Sequence, residues 1–302
     1  MQPAADGRTG QTGQTDDVAD FQAVRGRLFG IAYRMLGSVG DAEDVVQDTW
    51  LRWQRTDRRN VRNPEAFLTT TTTRLAINAV TTARARRETY PGPWLPEPVD
   101  TAADPALGAE RAEGLELGVL LLLEKLAPAE RAAYVLREAF DYTHRQVAEV
   151  LATSEANARQ LLSRARRHLD SARSAPVGRA EHRRLVEAFL AAADGGNLAA
   201  LERLLADDVV ARSDGGGRVH ASRRDVTGPA RVTNFLDNVL RKYWHGSVLR
   251  LVPANGAECL LVAAADGTPQ ALLALTTTGR GIERLFVVLN PDKLGQFASP
   301  PA

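Results

Sequence analysis

Residues 130–169 read ERAAYVLREAFDYTHRQVAEVLATSEANARQLLSRARRHL. The stretch divides into a short helix (His144–Leu151), a tight turn (Ala152-Thr153-Ser154) and a longer helix (Glu155–Leu169). Ser154 suits the N-cap of the longer helix, and Glu155 suits its positive first turn. Ala158, Leu161, Leu162, Ala165 and Leu169 fall on one face at helical spacing and can pack inward. The opposite face carries Asn157, Gln160, Ser163, Arg164 and Arg167. Amide side chains match adenine edges, and guanidinium groups match guanine or phosphate. Arg159 and Arg166 flank them and suit phosphates. A surface helix of a plain bundle would share the inward stripe. The short–turn–long pattern with a polar, arginine-rich outer face points instead to a helix-turn-helix that enters a DNA groove.

Working outward, the chain has 302 residues, enough for two or three domains. The single cysteine, Cys259, excludes a disulfide framework and a Cys-rich zinc site. Apolar runs such as Val119–Leu123 are far short of the ~20 residues that span a bilayer. The polar start of the chain does not read as a secretory signal, so a cytoplasmic protein with no membrane contact is expected. Charge is balanced overall, 38 basic against 37 acidic residues, but unevenly placed. Nine arginines face three acids between Leu51 and Tyr90, six acids face Arg111 alone between Glu97 and Glu116, and four arginines face no acid between Ala156 and Leu169. Two basic stretches around an acidic one suit two polyanion contacts on one chain, although two solvated helix faces would give the same count.

Residues 1–19 read as a disordered tail. Residues 20–90 read as helical: Phe21, Val24, Leu28, Ile31 and Met35 keep three- and four-residue spacing, Gly37-Ser38 breaks the run, and Pro64 opens a further helix to about Arg87. The threonines at 69–73 are poor helix formers and weaken its first half. Five prolines within 91–110 indicate an extended acidic linker. Residues 111–172 read as the second helical domain, and 181–294 as a third of different character. There, two short helices precede β-prone runs, including Val219–Ser222, punctuated by Asn255-Gly256 and Asp266-Gly267, with one more helix at Pro229–Tyr243. That order indicates an α+β domain with an antiparallel sheet.

One helix of the first domain stands out. In SVGDAEDVVQDTWLRWQR (38–55), Ser38 and Asp41 resemble a capping box. Asp41, Asp44 and Asp48 share a face with Gln47 beside them, while Ala42, Val45, Val46 and Trp53 lie toward the other. A solvated acidic face would look the same.

GDAEDVVQDTWLRW, then PEAFL…TRLAIN, then LAPAERAAYVLRE and the helix-turn-helix resemble, in order and spacing, the bacterial sigma-70 family, in its extracytoplasmic-function group that keeps only regions two and four. YPGPWLPEP (90–98), DGGGR (214–218) and NPDKL (290–294) further resemble the subgroup whose sigma core is fused to a SnoaL-like C-terminal domain, a cone-shaped α+β fold shared with polyketide cyclases and ketosteroid isomerases. The resemblance implies a multi-domain chain: two all-α sigma domains, the second with the helix-turn-helix, followed by the α+β cone.

It also implies roles. Asp41, Asp44, Gln47, Asp48 and Trp50 would bind the clamp helices of the β′ subunit of core RNA polymerase. Arg74, Asn78, Arg84, Arg86 and Arg87 would face the −10 promoter element, where strand opening needs backbone neutralisation and stacking. Ser154, Asn157, Arg159, Gln160, Ser163, Arg164 and Arg167 would meet the −35 element. Asn78-Ala79-Val80-Thr81 stands where the family carries an acid followed by Leu-Arg, and Arg218 replaces the subgroup's lysine.

For the C-terminal domain the expectation is regulatory docking within the chain through Trp94, Leu95 and Pro96, the Asp214-Gly215-Gly216-Gly217-Arg218 element and the Asn290-Pro291-Asp292-Lys293-Leu294 element. A hairpin turn and a strand stop would explain the last two without any partner. The alternative is a DNA-binding regulator fused to a cyclase- or isomerase-like enzyme, with Asp214, His220, Tyr243 and His245 as polar candidates, or to a sensor whose cone holds an unidentified apolar small molecule. The sigma reading needs no catalytic residue, metal or cofactor.

Overall fold

The computed structural model describes residues 9–102, 115–170, 177–243 and 246–298. They form two compact units, Met1–Thr82 with Ala127–Arg164, and Ala83–Leu126 with Ala165–Ala302. Among the described residues no helix is long and apolar enough to cross a membrane.

In the first unit, α1 (Thr9–Leu36) packs on α2 (Val39–Arg55), and the N-terminal part of α3 (Pro64–Glu88) completes the group. Gly37, at φ 66°, takes the left-handed turn that ends α1, and Ser38 caps α2 by accepting from the Asp41 amide at 3.4 Å. Helical backbone thus reaches eleven residues into the stretch expected to be a disordered tail, because 9–19 contains no proline and each added residue extends an existing ladder; residues 1–8 lie outside the described ones.

The threonine run is helical despite its propensity, and its side chains explain why. Thr69, Thr72 and Thr73 are buried. Thr71 and Thr73 donate to the carbonyls of Phe67 and Thr69, both at 2.8 Å, and Thr72 meets Thr49 at 3.0 Å. Packing overrides propensity once each buried hydroxyl has a partner. The unit also holds α5 (Pro128–Tyr134), a wider turn over Val135–Ala139, α6 (His144–Val150) and α7 (Glu155–Asp170) as far as Arg164.

The second unit is built on a six-stranded sheet of order β2-β1-β6-β5-β4-β3. Its strands are β1 (Leu205–Asp214), β2 (Val226–Thr227), β3 (Val248–Ala254), β4 (Ala257–Ala263), β5 (Pro269–Thr278) and β6 (Gly281–Val288). The sheet is mixed where an antiparallel one was expected. β3 to β6 form an antiparallel meander, but β6 returns beside β1 and runs parallel to it. The long path through β2, α10 (Pro229–Tyr243) and the strands β3 to β5 permits that parallel pairing. Val219–Ser222 is not a strand: Gly216 and Gly217 take φ 58° and 70°, and the amides of Arg218 and Val219 turn back to the Gly215 carbonyl. The short β2 forms later, at 226–227.

Helices α8 (Arg179–Asp194), α9 (Leu198–Leu204) and α10 cover one sheet face. Phe189, Leu201, Val232 and Leu236 pack there against Leu260, Leu273 and Leu285. Burying one such side chain contributes about 1.5–3 kcal/mol. The alternate residues Cys259, Leu261, Leu272, Phe286 and Val288 are buried too, which is why these strands read as continuous apolar runs. Part of that second face lies under α4 (Leu117–Leu123), whose Gly118 sits against Thr276 and Phe286. Burial pushes the Cys259 thiol up to about 12, so it is unreactive near neutrality.

The proline-rich segment behaves differently from a free linker. Asp100 bridges Ala254, Val99 accepts from the Asn255 amide at 3.0 Å, and the segment joins the sheet unit. Residues 103–114 lie outside the described ones.

Candidate functional site

On α2 the sequence face divides cleanly. Ala42, Val45, Val46, Thr49 and Trp53 are buried, while Asp44, Gln47, Asp48 and Leu51 are exposed along one side. Asp41 is half-buried, as is Trp50, whose ring packs at 4.9 Å on Phe21. Glu43 pairs with Arg25 at 2.6 Å, so the acids presented outward are Asp44 and Asp48. Their carboxylates and the exposed leucine suit a basic surface with an apolar centre.

The five candidates on α3 do not form one open surface. Arg74 donates to the Val150 carbonyl at 3.1 Å, at the end of α6. Arg131, 1% exposed, donates to the Met35 carbonyl at the end of α1, at 2.6 Å. Each arginine thus satisfies a helix terminus on the other sequence half of the first unit. Tyr142 adds a bond from its hydroxyl to Thr69 at 3.2 Å. In the second unit Arg84 donates to the Glu124 carbonyl at 3.1 Å, and Arg87 pairs with the Glu124 carboxylate while its guanidinium lies 3.7 Å from the centre of the Trp94 ring. Asn78 and Arg86 remain exposed.

The helix-turn-helix is capped as its residues require. Thr143 and Gln146 form a capping box at the start of α6. Ala152 takes φ 50° in the turn, and Ser154 accepts from the Asn157 amide at 3.2 Å to start α7 (Glu155–Asp170). Ala158, Leu161, Leu162, Ala165 and Leu169 are buried, as their spacing predicts. Ser154, Asn157, Arg159, Gln160, Ser163 and Arg167 are exposed. Arg164 is held at 2.7 Å by the largely buried Glu130, and Asn157 donates to Thr153 at 2.8 Å.

The three elements expected to regulate converge on one carboxylate. Asp214 is fully buried at the end of β1. Its Oδ1 accepts from the Tyr90 hydroxyl at 2.7 Å and the Gly216 amide at 2.9 Å. Its Oδ2 accepts from the Leu95 amide at 2.9 Å and the Lys293 ammonium at 2.7 Å. Lys293 also donates to the Leu95 carbonyl, and its ammonium lies 4.7 Å from the Trp94 ring centre and 5.0 Å from that of Tyr90. Asn290 donates to the Tyr90 oxygen at 3.0 Å. The Asp214 carbonyl accepts from the amides of Leu289 and Asn290. A Cβ on Gly216 would meet the Asn290 side chain at 2.3 Å, and one on Gly217 would meet Pro91 at 2.8 Å. The glycines therefore admit the linker as well as the turn.

Sequence reasoning missed two residues of this latch. Tyr90 is its first anchor. Asn255, read only as half of an Asn-Gly turn, is 1% exposed; it accepts from the Val99 amide at 3.0 Å and donates to the Leu115 carbonyl at 2.9 Å, holding both described ends of the proline-rich segment. No local pattern marks such a role, since the partners are distant in sequence. Of the enzymatic candidates, Asp214 is consumed by the latch, His220 is exposed, and His245 and the Tyr243 side chain lie outside the described ones.

Burial lowers the Lys293 pKa from the usual lysine value, against the pull of Asp214. Burial, then Asp214, raise Tyr90 well above the ordinary phenol range. The folded state keeps a proton that the unfolded chain releases near pH ~10, so this contribution is intact below about pH 10 and declines as pH rises toward the folded-state value. Urea midpoints measured between about pH 9 and 11 are expected to fall more steeply for the native chain than for Tyr90→Phe; equal slopes would remove Tyr90 from the latch.

Residues 21–86 match the family model Sigma-70 region 2, and residues 117–169 match Sigma-70, region 4. The ECF RNA polymerase sigma factor SigJ of Mycobacterium tuberculosis is 36% identical over 290 residues, covering 92% of this chain and 93% of the relative. The probable ECF RNA polymerase sigma factor SigI of the same species is 30% identical, covering 91% of this chain and 94% of the relative. The crystal structure of M. tuberculosis SigJ superimposes with a TM-score of 0.75 at 35% identity, covering 94% of this chain and all of that one.

Proposed function

The chain belongs to the extracytoplasmic-function sigma-70 family, and from that premise we propose how its parts divide the work of promoter-directed transcription initiation. It is a sigma factor that binds core RNA polymerase and promoter DNA. The exposed face of α2, with Asp44, Gln47, Asp48 and the edge of Trp50, docks on the clamp helices of the β′ subunit. The outer face of α7 reads the −35 element through Asn157, Gln160 and Arg167, with Ser154, Arg159 and Ser163 on the backbone. Asn78 and Arg86 begin the −10 contact, and Arg74, Arg84 and Arg87 join it when they leave their present partners. Neither DNA contact needs to be strong alone, because polymerase raises the effective concentration of both.

The C-terminal domain restrains the factor. The single observation that carries this reading is the set of bonds from Tyr90, Leu95 and Lys293 to the buried carboxylate of Asp214. They fix the segment that follows α3, whose Arg87 is stacked on Trp94 of that same segment. Undocking the segment takes the Trp94 ring off Arg87, and Arg84 and Arg87 then reach DNA by exchanging Glu124 for phosphate. A carboxylate with every oxygen so engaged is poorly placed for proton transfer, which speaks against the enzymatic alternative for Asp214.

Run-off transcription tests the reading. Core polymerase with the full chain is expected to give discrete transcripts from a pool of genomic fragments that core polymerase alone does not give. Tight DNA binding without promoter-dependent transcripts would return the chain to the class of plain DNA-binding regulators.

A further inference from the structure

We propose that the loop Arg218–Arg224 of the sheet unit is an additional contact for the promoter DNA backbone, separate from the two sigma regions. This inference rests on the sigma reading above. The loop reads RVHASRR, with four basic side chains in seven residues and no acid. Arg218, His220, Arg223 and Arg224 are all exposed. The next acid, Asp225, is already spent: both its oxygens are held by Arg212, at 2.8 and 2.7 Å. Arg223 and Arg224 have no carboxylate partner among the described residues. Arg218 meets Asp292 at 3.2 Å, but both are well exposed, so that pair is weak and can yield to a phosphate.

The loop is held rather than loose. The Ser222 amide donates to the Ser213 hydroxyl at 2.9 Å, and the Ser222 hydroxyl donates to the Arg224 carbonyl at 2.6 Å. Gly217 lies against Pro91. Fixed arginines lose less freedom on binding a polyanion than a flexible tail would. Together with Pro91, Pro93 and Val219, the loop borders a half-open cleft of about 920 Å³ that also takes in Arg218, His220 and Arg223.

Position selects the ligand. Pro91 follows Arg86 by five residues, at most about 17 Å of chain. While the 90–98 segment is docked, the loop therefore continues the basic end of α3 within the same unit, so its contact belongs to the first encounter with DNA, before the segment is released. At about 3.4 Å of rise per phosphate along one strand, that span matches about five nucleotides. No helix or strand presents these arginines to a groove, so the contact is to the backbone and carries no base preference of its own.

The test uses the full chain, core polymerase and labelled promoter duplexes recovered by run-off transcription. Affinity is measured against KCl concentration for the native factor, for Arg223→Gln with Arg224→Gln, and for the equal-charge control Arg179→Gln with Arg203→Gln. The loop variant is expected to have a log–log salt slope shallower by about 1 to 2, and to bind several-fold to about tenfold more weakly at moderate salt. The loss should be the same on two promoters of different sequence, with start sites unchanged. A native slope in the loop variant, or an equal loss in the control, would overturn the proposal, and a loss confined to one promoter would overturn the backbone assignment. Promoter-dependent transcripts from the loop variant show that the sigma reading stands whichever way the slopes fall.

Discussion

Asp214→Ala is expected to destabilise the C-terminal unit by about 3–5 kcal/mol, because removing one partner of a buried ion pair leaves the other charge uncompensated. Lys293 would keep its ammonium in a site where its side chain is only 11% exposed. The Tyr90 hydroxyl and the Leu95 and Gly216 amides would also lose their acceptor. Urea unfolding measures the loss, and limited proteolysis within 90–98 reports whether the segment has come away. Asp214→Asn keeps the shape and one acceptor oxygen, and is expected to cost less. Asparagine and alanine variants with native midpoints and a protected segment would mean that the carboxylate does not hold the latch.

Reversing charge on α2 is expected to have the largest effect on function without touching the fold. Asp44→Arg with Asp48→Arg places two cations where the account puts two contacts to a basic partner. Like charges juxtaposed across an interface cost several kcal/mol, so affinity for core polymerase should fall by about 100-fold or more. Both positions are exposed, and surface substitutions of this kind usually change stability by less than about 0.5 kcal/mol. Size-exclusion or surface-based binding to core polymerase reads the first effect, and thermal unfolding the second. Unchanged polymerase binding would move the docking face off α2.

The helix-turn-helix, the acidic helix and the α+β domain were legible in the sequence because their signals are local. Apolar spacing placed α7's buried face, Ser38 and Ser154 marked helix starts, and Asn255-Gly256 and Asp266-Gly267 marked hairpins. Four features were not legible from local pattern, for one reason: they depend on partners far along the chain. Asp214 before three glycines reads locally as a turn; only the subgroup resemblance marked it for docking, and the groups that meet it, Tyr90, Leu95 and Lys293, come from far along the chain. Asn255 makes a turn by its backbone and a clamp by its side chain, and only the first leaves a sequence trace. The threonine run reads as a weak helix because propensity scales omit Thr49, which waits on α2 for Thr72. The parallel pairing of β1 with β6 has the same origin, since alternation and turn signals carry no direction across a long crossover. The arginines of α3 show the converse. Their clustering pointed to DNA, yet Arg74, Arg84 and Arg87 are engaged within the chain, and that engagement is what suggests a restrained state.

In the proposed restraint, docking of the 90–98 segment holds the sigma factor back. Run-off transcription with core polymerase, comparing the native chain with Tyr90→Phe and Lys293→Met at equal concentration, tests it most directly. Both variants are expected to give more transcript, from the same start sites. Equal or lower yield from both, with each variant still folded and bound to polymerase, would contradict it.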